Sequence, residues 1–280
     1  MTIPGMKPTN VNGISLEVFD RGAGDPVLFI HGGMGDDCFA MLSESSLAEQ
    51  FRLIHFHRRG WGNSELPPGT PVGYEQQAAD CKAVLRHLGV EKAHLVGQSG
   101  GGNLILQIVK DYPECVHSLA LAEPALSSIV DDAPEFAKVE EKMASRYEAG
   151  DIPGALTALL DELNGGDYRA VFDRNLPSGW FERWVQDAEM LLGYDLPGLS
   201  AWTFTGDDAA RIHQPVLSIT GANTRPYFRE CHEMVQSWIP HAETAVVPDA
   251  THLMFETNPR GTAERLADFF SRYPIRLTQS

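Results

Sequence analysis

A serine flanked by glycines constrains this chain more than any other feature of its sequence. The run from Gly97 to Gly101, GQSGG, directly follows the apolar segment 93–96 and opens a helical stretch that Pro113 ends. A serine at such a strand-to-helix turn has a strained backbone, and side chains at the flanking glycine positions would collide with the neighbouring helix and strand. A phosphate-binding loop would show a following Lys or the Rossmann spacing, and neither is present. The pattern predicts that Ser99 is a nucleophile.

Short apolar segments separated by helical periods indicate an α/β sheet. Seven segments have the length and residue types of strands; they are 14–19, 26–30, 52–56, 93–96, 116–122, 215–220 and 243–247. Helical stretches, including 74–88 and 259–270, separate most of them. This alternation predicts a mostly parallel central sheet flanked by helices.

The stretch 125–211 has a different pattern, because helical periods dominate it and no buried strand is evident. We interpret it as a helical insertion. The predicted organisation is therefore an α/β core, made of residues 1–124 and 212–280, that is interrupted by a helical unit at 125–211.

Composition and charge exclude several kinds of partner. The 280 residues include 22 Lys and Arg against 38 Asp and Glu, a formal net charge of -16. Such a surplus repels phosphate backbones and anionic lipids, so we expect no nucleic-acid or membrane partner.

The sequence shows neither a signal peptide nor an apolar membrane span, and its four dispersed cysteines form no C-x-x-C pair. We expect a cytoplasmic protein without a metal site.

Two further loops carry the groups that a nucleophilic serine needs. The run His31-Gly32-Gly33-Met34 follows segment 26–30, where acyl-transfer enzymes of this architecture place a backbone donor for the oxyanion. We expect the N–H groups of Gly33 and Gly100 to stabilise the oxyanion, with Met34 as the alternative to Gly33. Among ten histidines, His252 is the candidate general base, because it lies between the last strand and the closing helix.

Together, the GQSGG turn, the His-Gly turn, the loop 59–64 (RGWGNS) and the late histidine resemble the α/β-hydrolase superfamily. The resemblance spans about 14–270, with the insertion where the family carries its cap. It implies that Ser99, His252 and the two glycine N–H groups have the family's catalytic roles. Haloalkane dehalogenases and epoxide hydrolases of this fold have an aspartate at the turn, so Ser99 argues against both. The loop 57–64 is expected to be structural, with Arg59 as a brace and Trp61 as packing.

Serine hydrolases of this family also have an acid that orients the catalytic histidine. The position of this acid departs from the common pattern of the family. The acid usually follows the strand matched by 215–220, but the loop there is Gly221-Ala222-Asn223-Thr224 and contains no carboxylate. Some subgroups, including hydrolases that resemble zearalenone-type lactonases, have the acid one strand earlier, where this chain has Glu123. We therefore predict Glu123 as the acid. Asp249 is the rival, although it lies only three residues before His252, where loop geometry rarely lets it orient the same ring.

These residues imply a serine hydrolase that opens a carboxylic ester or lactone through an acyl-enzyme and needs no cofactor. Apolar ligand sites require apolar walls, so we expect Met34 and the insertion's Trp180 and Trp184 to contact the substrate. Two other classes stay open: a ligand-binding or receptor-like protein, and a cofactor-free dioxygenase or lyase on the same fold.

Overall fold

Eight strands form one sheet in the computed structural model, which describes residues 5–69, 72–131, 133–165 and 168–276. The strands are β1 (Lys7–Val11), β2 (Ile14–Arg21), β3 (Pro26–Ile30), β4 (Arg52–Phe56), β5 (Ala93–Gln98), β6 (Val116–Ala122), β7 (Val216–Gly221) and β8 (Glu243–Val247). Their order is β1-β2-β4-β3-β5-β6-β7-β8. The pairs β1/β2 and β2/β4 are antiparallel and the others are parallel, which confirms the predicted fold class.

Helices cover both faces of the sheet. In chain order they are α1 (Phe39–Leu42), α2 (Ser45–Ala48), α3 (Tyr74–His87), α4 (Gly100–Asp111), α5 (Ser127–Val130), α6 (Pro134–Glu148), α7 (Ile152–Asn164), α8 (Arg169–Asn175), α9 (Trp180–Met190), α10 (Leu196–Ala201), α11 (Gly206–Ala209), α12 (Pro226–Trp238), α13 (Met254–Thr257) and α14 (Pro259–Arg272). A 3-10 turn occupies Pro113–Cys115, and a π-helical turn at Leu191–Asp195 joins α9 to α10. No described helix is long and apolar enough to span a membrane.

The core consists of two apolar clusters, one on each face of the sheet. The smaller cluster includes Phe269 and Phe270 of α14 and Leu47 of α2. The larger cluster contains buried side chains of α3, α4 and α12 together with those of the helices between β6 and β7. Those helices, α5 to α11, fall in the stretch predicted as an insertion, and they share this core with the sheet. The division of the chain into core and insertion stays a prediction.

Two elements were not anticipated from the sequence. β1 contains the polar run KPTNV, in which Val11 alone is buried, so it lacks the apolar pattern of a strand. It forms because its backbone pairs with β2 at the edge of the sheet. α12 buries Tyr227, Phe228, Cys231 and Val235, a helical spacing that is present in the sequence.

The parallel strands bring the predicted site residues to one edge. β3, β5, β6, β7 and β8 run in the same direction, so their carboxyl ends lie together. Ser99 follows β5, Glu123 follows β6, and His252 lies in the loop after β8. Ligands of open α/β sheets bind at this edge, so a functional site is expected among these loops.

Candidate active site

Ser99 lies at a sharp turn between β5 and α4. Its backbone has φ 54° and ψ -126°, a conformation that few residues other than glycine adopt. The turn is held because the Ser99 carbonyl accepts from Gly102 N at 2.8 Å and from Asn103 N at 3.2 Å. A Cβ on Gly97 would collide with the Gly101 carbonyl, and one on Gly101 would collide with the Ile30 carbonyl of β3. Both flanking glycines therefore have the steric reason that the sequence suggested.

Glu123 and His252 meet beside this turn, although 129 positions separate them in the chain. His252 Nδ1 lies 2.8 Å from Glu123 Oε2, and both side chains are fully buried. Asp249, the rival acid, is exposed, has φ 55° and forms no hydrogen bond or ion pair with this ring among the described residues. The structure thus brings Glu123, and not Asp249, to His252.

The carboxylate of Glu123 accepts four hydrogen bonds, two on each oxygen. Oε1 accepts from Thr220 Oγ1 at 2.6 Å and from Gly221 N at 2.9 Å, while Oε2 accepts from Thr224 Oγ1 at 2.7 Å in addition to His252. Four donors satisfy an ionised carboxylate, so His252 carries its proton on Nδ1. Thr224 lies in the loop where relatives of this fold usually have the acid. Its hydroxyl binds Glu123, the acid that this chain has one strand earlier.

The second ring nitrogen of His252 is unengaged. Nε2 is buried and has no hydrogen-bond partner within the described part of the chain. The imidazole stacks on Phe228 of α12, with centroids 3.4 Å apart and planes 6° from parallel. This contact fixes the plane of the ring, so Nε2 is held ready to accept a proton.

The predicted oxyanion donors come from two places, the loop after β3 for Gly33 and the first residue of α4 for Gly100. In the hydrogen bonds of the described residues, the N–H groups of Gly33 and Gly100 donate to no other group. Gly33, Gly100 and Met34 line the same cavity as Ser99. The N–H of Gly32 is engaged, because it donates to Asp37 Oδ2 at 2.6 Å.

Asp37 is a carboxyl group that sequence reasoning missed. It lines the cavity but is only 2% exposed, and Cys38 Sγ lies 3.2 Å from its Oδ1. Burial raises the pKa of Asp37 to about 7, against the opposing effect of the hydrogen bonds from Cys38 and Gly32. Burial thus opposes a negative charge on this side chain.

The cavity that contains Ser99 has mostly apolar walls and a volume of about 70 Å³. Its apolar lining consists of Met34, Ala125, Val130, Phe136, Leu159, Leu163, Leu191, Leu196, Leu199, Phe228 and Leu253. Its charged lining consists of four carboxyl groups, those of Asp37, Asp131, Glu140 and Asp195. No Lys, Arg or His lines it among the described residues, and Arg58, outside the lining, pairs with Asp195.

Trp180 and Trp184 do not line this cavity, which corrects their predicted place in the substrate pocket. Trp184 is fully buried, with ring contacts to Phe172 and Trp180 at 5.7 and 5.0 Å between centroids. Trp180 donates its indole N–H to Asp173 at 2.8 Å. Aromatic residues in a helical stretch cluster with one another when the helices pack, and here that packing faces away from Ser99. Met34 is the one of the three predicted residues that lines the cavity.

The loop 57–64 contains two buried arginines with different partners. Arg59 forms a bidentate pair with Asp80 of α3, at 2.7 and 2.9 Å, and Trp61 is 1% exposed. These contacts agree with the structural roles expected of both residues. Arg58, to which the sequence analysis gave no role, pairs instead with Asp195 from the π-helical turn. The doubled arginine was the signal that could have drawn attention to it.

A polar cluster, the His57 cluster, joins the loop 57–64 to α9. His57 Nδ1 lies 2.9 Å from Glu17 Oε2, and its Nε2 lies 3.3 Å from Asp36 Oδ1. Arg183 of α9 donates to Asp36 at 2.5 Å, and Gly62 N donates to Asp187 at 3.2 Å. Burial disfavours a charge on His57, but the carboxylates of Asp36 and Glu17 outweigh it and raise the pKa of His57 to about 9. A charged histidine thus lies at this contact.

Comparisons with known proteins concern the family and the fold of the chain. A family model described as alpha/beta hydrolase fold matches residues 25–259. A Mycobacterium tuberculosis protein named "Putative non-heme bromoperoxidase BpoC" is 28% identical over 92% of this chain and 98% of its own length. The solved structure of a thermophilic esterase from Thermogutta terrifontis is 25% identical and covers 96% of this chain and 98% of its own, with a TM-score of 0.76.

A further structural match shows the fold alone. The enol-lactonase from Burkholderia xenovorans LB400 has a TM-score of 0.78 and covers 95% of this chain and 100% of its own, at 18% identity. Among the described residues, no group of three or more His, Cys, Asp or Glu side chains is arranged to hold a metal ion.

Proposed function

Because this chain belongs to the alpha/beta hydrolase fold family, we propose that it is a serine hydrolase that opens carboxylic esters or lactones through an acyl-enzyme on Ser99. The observation that carries the proposal is the buried Glu123–His252 pair, whose unengaged Nε2 lies at the same sheet edge as Ser99. The esterase at 25% identity supports the same reaction class.

The proposed mechanism assigns one step to each group. His252 Nε2 takes the proton of the Ser99 hydroxyl as Oγ attacks the carbonyl carbon of the substrate. The negative charge that develops on the carbonyl oxygen is stabilised by the N–H groups of Gly33 and Gly100. His252 then protonates the leaving alcohol, and a water molecule activated by the same imidazole hydrolyses the acyl-enzyme. Glu123 keeps the required tautomer and stabilises the imidazolium.

The lining of the cavity supports a class of substrate. Its apolar walls favour an aliphatic or aromatic acyl group, since such surface gains free energy when it leaves water. Its described lining includes four carboxyl groups and no basic side chain, and although Arg58 pairs with Asp195, the lining as a whole disfavours an acid on the substrate. We therefore expect neutral or amine-bearing esters to be better substrates than esters of dicarboxylic acids.

The test combines labelling with turnover. A fluorophosphonate should label the protein once, on Ser99, and neutral aryl esters and lactones of graded acyl size should be hydrolysed. Ser99→Ala should abolish both readouts, whereas Ser200→Ala, which also removes a hydroxyl from the cavity lining, should keep both. Labelling that persists in Ser99→Ala would show that the nucleophile lies elsewhere.

Two other results would replace the proposal. Tight binding of these esters without turnover in the unaltered protein would favour the ligand-binding class. Turnover that requires peroxide and bromide would instead favour the reaction for which the Mycobacterium relative is named.

A further inference from the structure

We propose that Arg58 is a positioning residue of the oxyanion hole, acting through the carbonyl of Gly32, and that Asp195 of the π-helical turn holds it in place. The inference rests on the proposed function, because it assigns the Gly33 N–H to the oxyanion. It goes further in linking that donor to a residue of the helical stretch between β6 and β7.

The carbonyl that Arg58 binds belongs to the same peptide as the Gly33 N–H. Arg58 Nη2 donates to Gly32 O at 2.6 Å, and His31 Nδ1 lies 3.1 Å from the same oxygen. In a trans peptide the C=O and the following N–H point in opposite directions. Fixing the carbonyl toward Arg58 therefore fixes the Gly33 N–H on the opposite side, and Gly33 itself lines the cavity.

The charge of Arg58 also affects the strength of this donor. Hydrogen bonds from an ionised donor are shorter and stronger than those between neutral groups, and a bond to a peptide oxygen polarises the N–H of that peptide. Arg58 is 1% exposed, so water does little to screen this effect. The peptide 32–33 is therefore a better oxyanion donor than an isolated amide.

Arg58 itself is held from three sides. Its guanidinium makes a bidentate pair with Asp195, at 2.7 and 3.0 Å, and donates to Gln77 of α3 at 2.6 Å. Its backbone N–H donates to His31 Nε2 at 3.0 Å, which leaves the His31 proton on Nδ1. Burial, and then the charge of Arg58, hold the pKa of His31 well below its usual value, so this ring is neutral.

The π-helical turn lies over both predicted donors. The position that a Cβ of Gly33 would occupy is 3.0 Å from Leu191 Cδ1, and that of Gly100 is 3.7 Å from Asp195 Oδ2. Leu191 and Asp195 are the first and last residues of this turn, and both line the cavity. Turns of this kind are frequent at functional sites. The ion pair therefore connects the cover of the cavity to the peptide that serves as the oxyanion donor.

Arg59 provides a matched control. It lies in the same loop, is buried and pairs with a buried carboxylate, but its partner is Asp80 and it makes no hydrogen bond to Gly32 among the described residues. Arg59→Gln removes a buried ion pair of the same chemistry without touching the oxyanion peptide. Loss of stability alone should affect both arginine variants, whereas loss of the donor should affect only Arg58.

The experiment compares Arg58→Met, Arg58→Lys, Asp195→Asn and Arg59→Gln, each checked for folding by circular dichroism. Two kinds of measurement are made on each variant. The first gives the kinetic constants for a neutral aryl ester, and the second gives the affinities for an aryl trifluoromethyl ketone and for the matching methyl ketone. Ser99 Oγ adds to the fluorinated ketone, its proton moves to His252, and the carbonyl electron pair becomes an oxyanion. The methyl ketone stays neutral and unreacted, so it reports binding in the cavity without the oxyanion.

Arg58→Met and Arg58→Lys should lower kcat by about 100-fold, at the lower end of the effect of losing one oxyanion donor, with KM within about threefold of its original value. Affinity for the trifluoromethyl ketone should fall by a similar factor, and affinity for the methyl ketone should not. Asp195→Asn, which leaves the bond to Gly32 in place, should lower kcat by about tenfold. Arg59→Gln should leave kcat within about threefold.

Equal losses in Arg58→Lys and Arg59→Gln, or equal loss of affinity for both ketones, would overturn the proposal in favour of a purely structural arginine. If Arg58→Met does not fold, Arg58→Lys and Asp195→Asn make the same comparison. Absence of both ester turnover and adduct formation in the unaltered protein would instead refute the proposed function.

Discussion

At the scale of the residue, strain and hydrogen bonding are concentrated on the proposed catalytic groups. Ser99 and Glu123 are two of four described residues other than glycine with positive φ, at 54° and 47°. Such conformations cost about 1–3 kcal/mol each and persist only where surrounding bonds enforce them. For Glu123 those bonds are its own N–H to Ile219 O and the four donors on its carboxylate. The strain is thus tied to aiming the acid at His252.

The first prediction concerns the identity of the acid. Glu123→Gln keeps the shape of the side chain but no longer stabilises the imidazolium or selects the Nδ1–H tautomer. We expect kcat to fall by about 10⁴, as for the corresponding change in a Ser-His-Asp triad. Asp249→Asn should change kcat by less than about threefold, because Asp249 is exposed and does not contact the ring. Steady-state hydrolysis of one aryl ester measures both, and the reverse ranking would reassign the acid.

The second prediction concerns Thr224, whose hydroxyl donates to the oxygen of Glu123 that also binds His252. Thr224→Val keeps the volume and removes the donor, which is worth about 1.5–3 kcal/mol to a charged acceptor. We expect kcat to fall by about tenfold or more, with KM little changed. Thr224→Ser restores the hydroxyl and should recover most of the rate. A serine variant as slow as the valine variant would point to packing of the methyl group instead.

At the scale of the element, the helices between β6 and β7 contribute in two ways. The π-helical turn places Leu191 and Asp195 in the cavity, whereas the aromatic face of α9 packs away from it. The sequence showed the aromatic content of this stretch but not which face of each helix meets the sheet. Trp180 and Trp184 were therefore expected in the pocket, while Asp195 was overlooked.

The third prediction separates packing from recognition. Trp184→Ala should lower the free energy of unfolding by about 3–5 kcal/mol, because it removes a fully buried aromatic side chain. Relative rates for esters of different acyl length should stay unchanged in the folded fraction. Met34→Ala should do the opposite, changing acyl preference with a smaller loss of stability. Denaturant titrations and an ester series measure both, and a shift in preference from Trp184→Ala alone would return that residue to the pocket.

At the scale of the whole molecule, contacts between sequence-distant segments decide how stability depends on pH. The His57 cluster joins β2, the loop after β3 and the end of β4 to α9, and it contains the carboxyls of Glu17, Asp36 and Asp187 and the cation of Arg183. Burial also raises the pKa of Asp187 to about 6. Several groups of this contact therefore change charge between weakly acidic and basic pH.

The fourth prediction follows from the sign of the His57 shift. A histidine whose folded pKa is raised from 6.5 to about 9 stabilises the fold below pH 6.5, and this contribution is lost as pH rises to about 9. We expect the free energy of unfolding to fall by about 3 kcal/mol at most across this range. The pKa values of Asp37 and Asp187 are raised to about 7 and 6, so their effect on stability is largely complete below pH 7.5. Burial also raises the pKa values of the four cysteines, which lowers stability at the alkaline end of the range, so the slope between pH 7.5 and 9 is compared with that of a variant that lacks His57.

His57→Gln should make this slope shallower, because the contribution of His57 is lost and that of the cysteines remains. His55 offers the matched control, because burial lowers its pKa to about 3 and it stays neutral throughout the range. His55→Gln should reduce stability without changing its pH dependence. An unchanged slope in His57→Gln would assign the titration to another group.

The sequence by itself determined the features that depend on local chemistry. Runs such as Pro26–Ile30 and Val116–Ala122 are apolar enough to be strands buried on both faces, and the glycines around Ser99 permit one kind of turn. Parallel strands then bring their carboxyl ends to one edge, so the proposed nucleophile, acid and base could be chosen before their geometry was known.

Tertiary structure alone decided which distant side chains meet. The 2.8 Å contact of Glu123 with His252, the donors of Thr220 and Thr224, and the Arg58–Asp195 pair join positions far apart in the chain. An ion pair or a hydrogen bond depends on the distance between two atoms, to within a few tenths of an ångström, and on their orientation. No local sequence pattern specifies either one. For the same physical reason, the indoles of Trp180 and Trp184 pack against Phe172 of α8, while Asp195 lines the cavity.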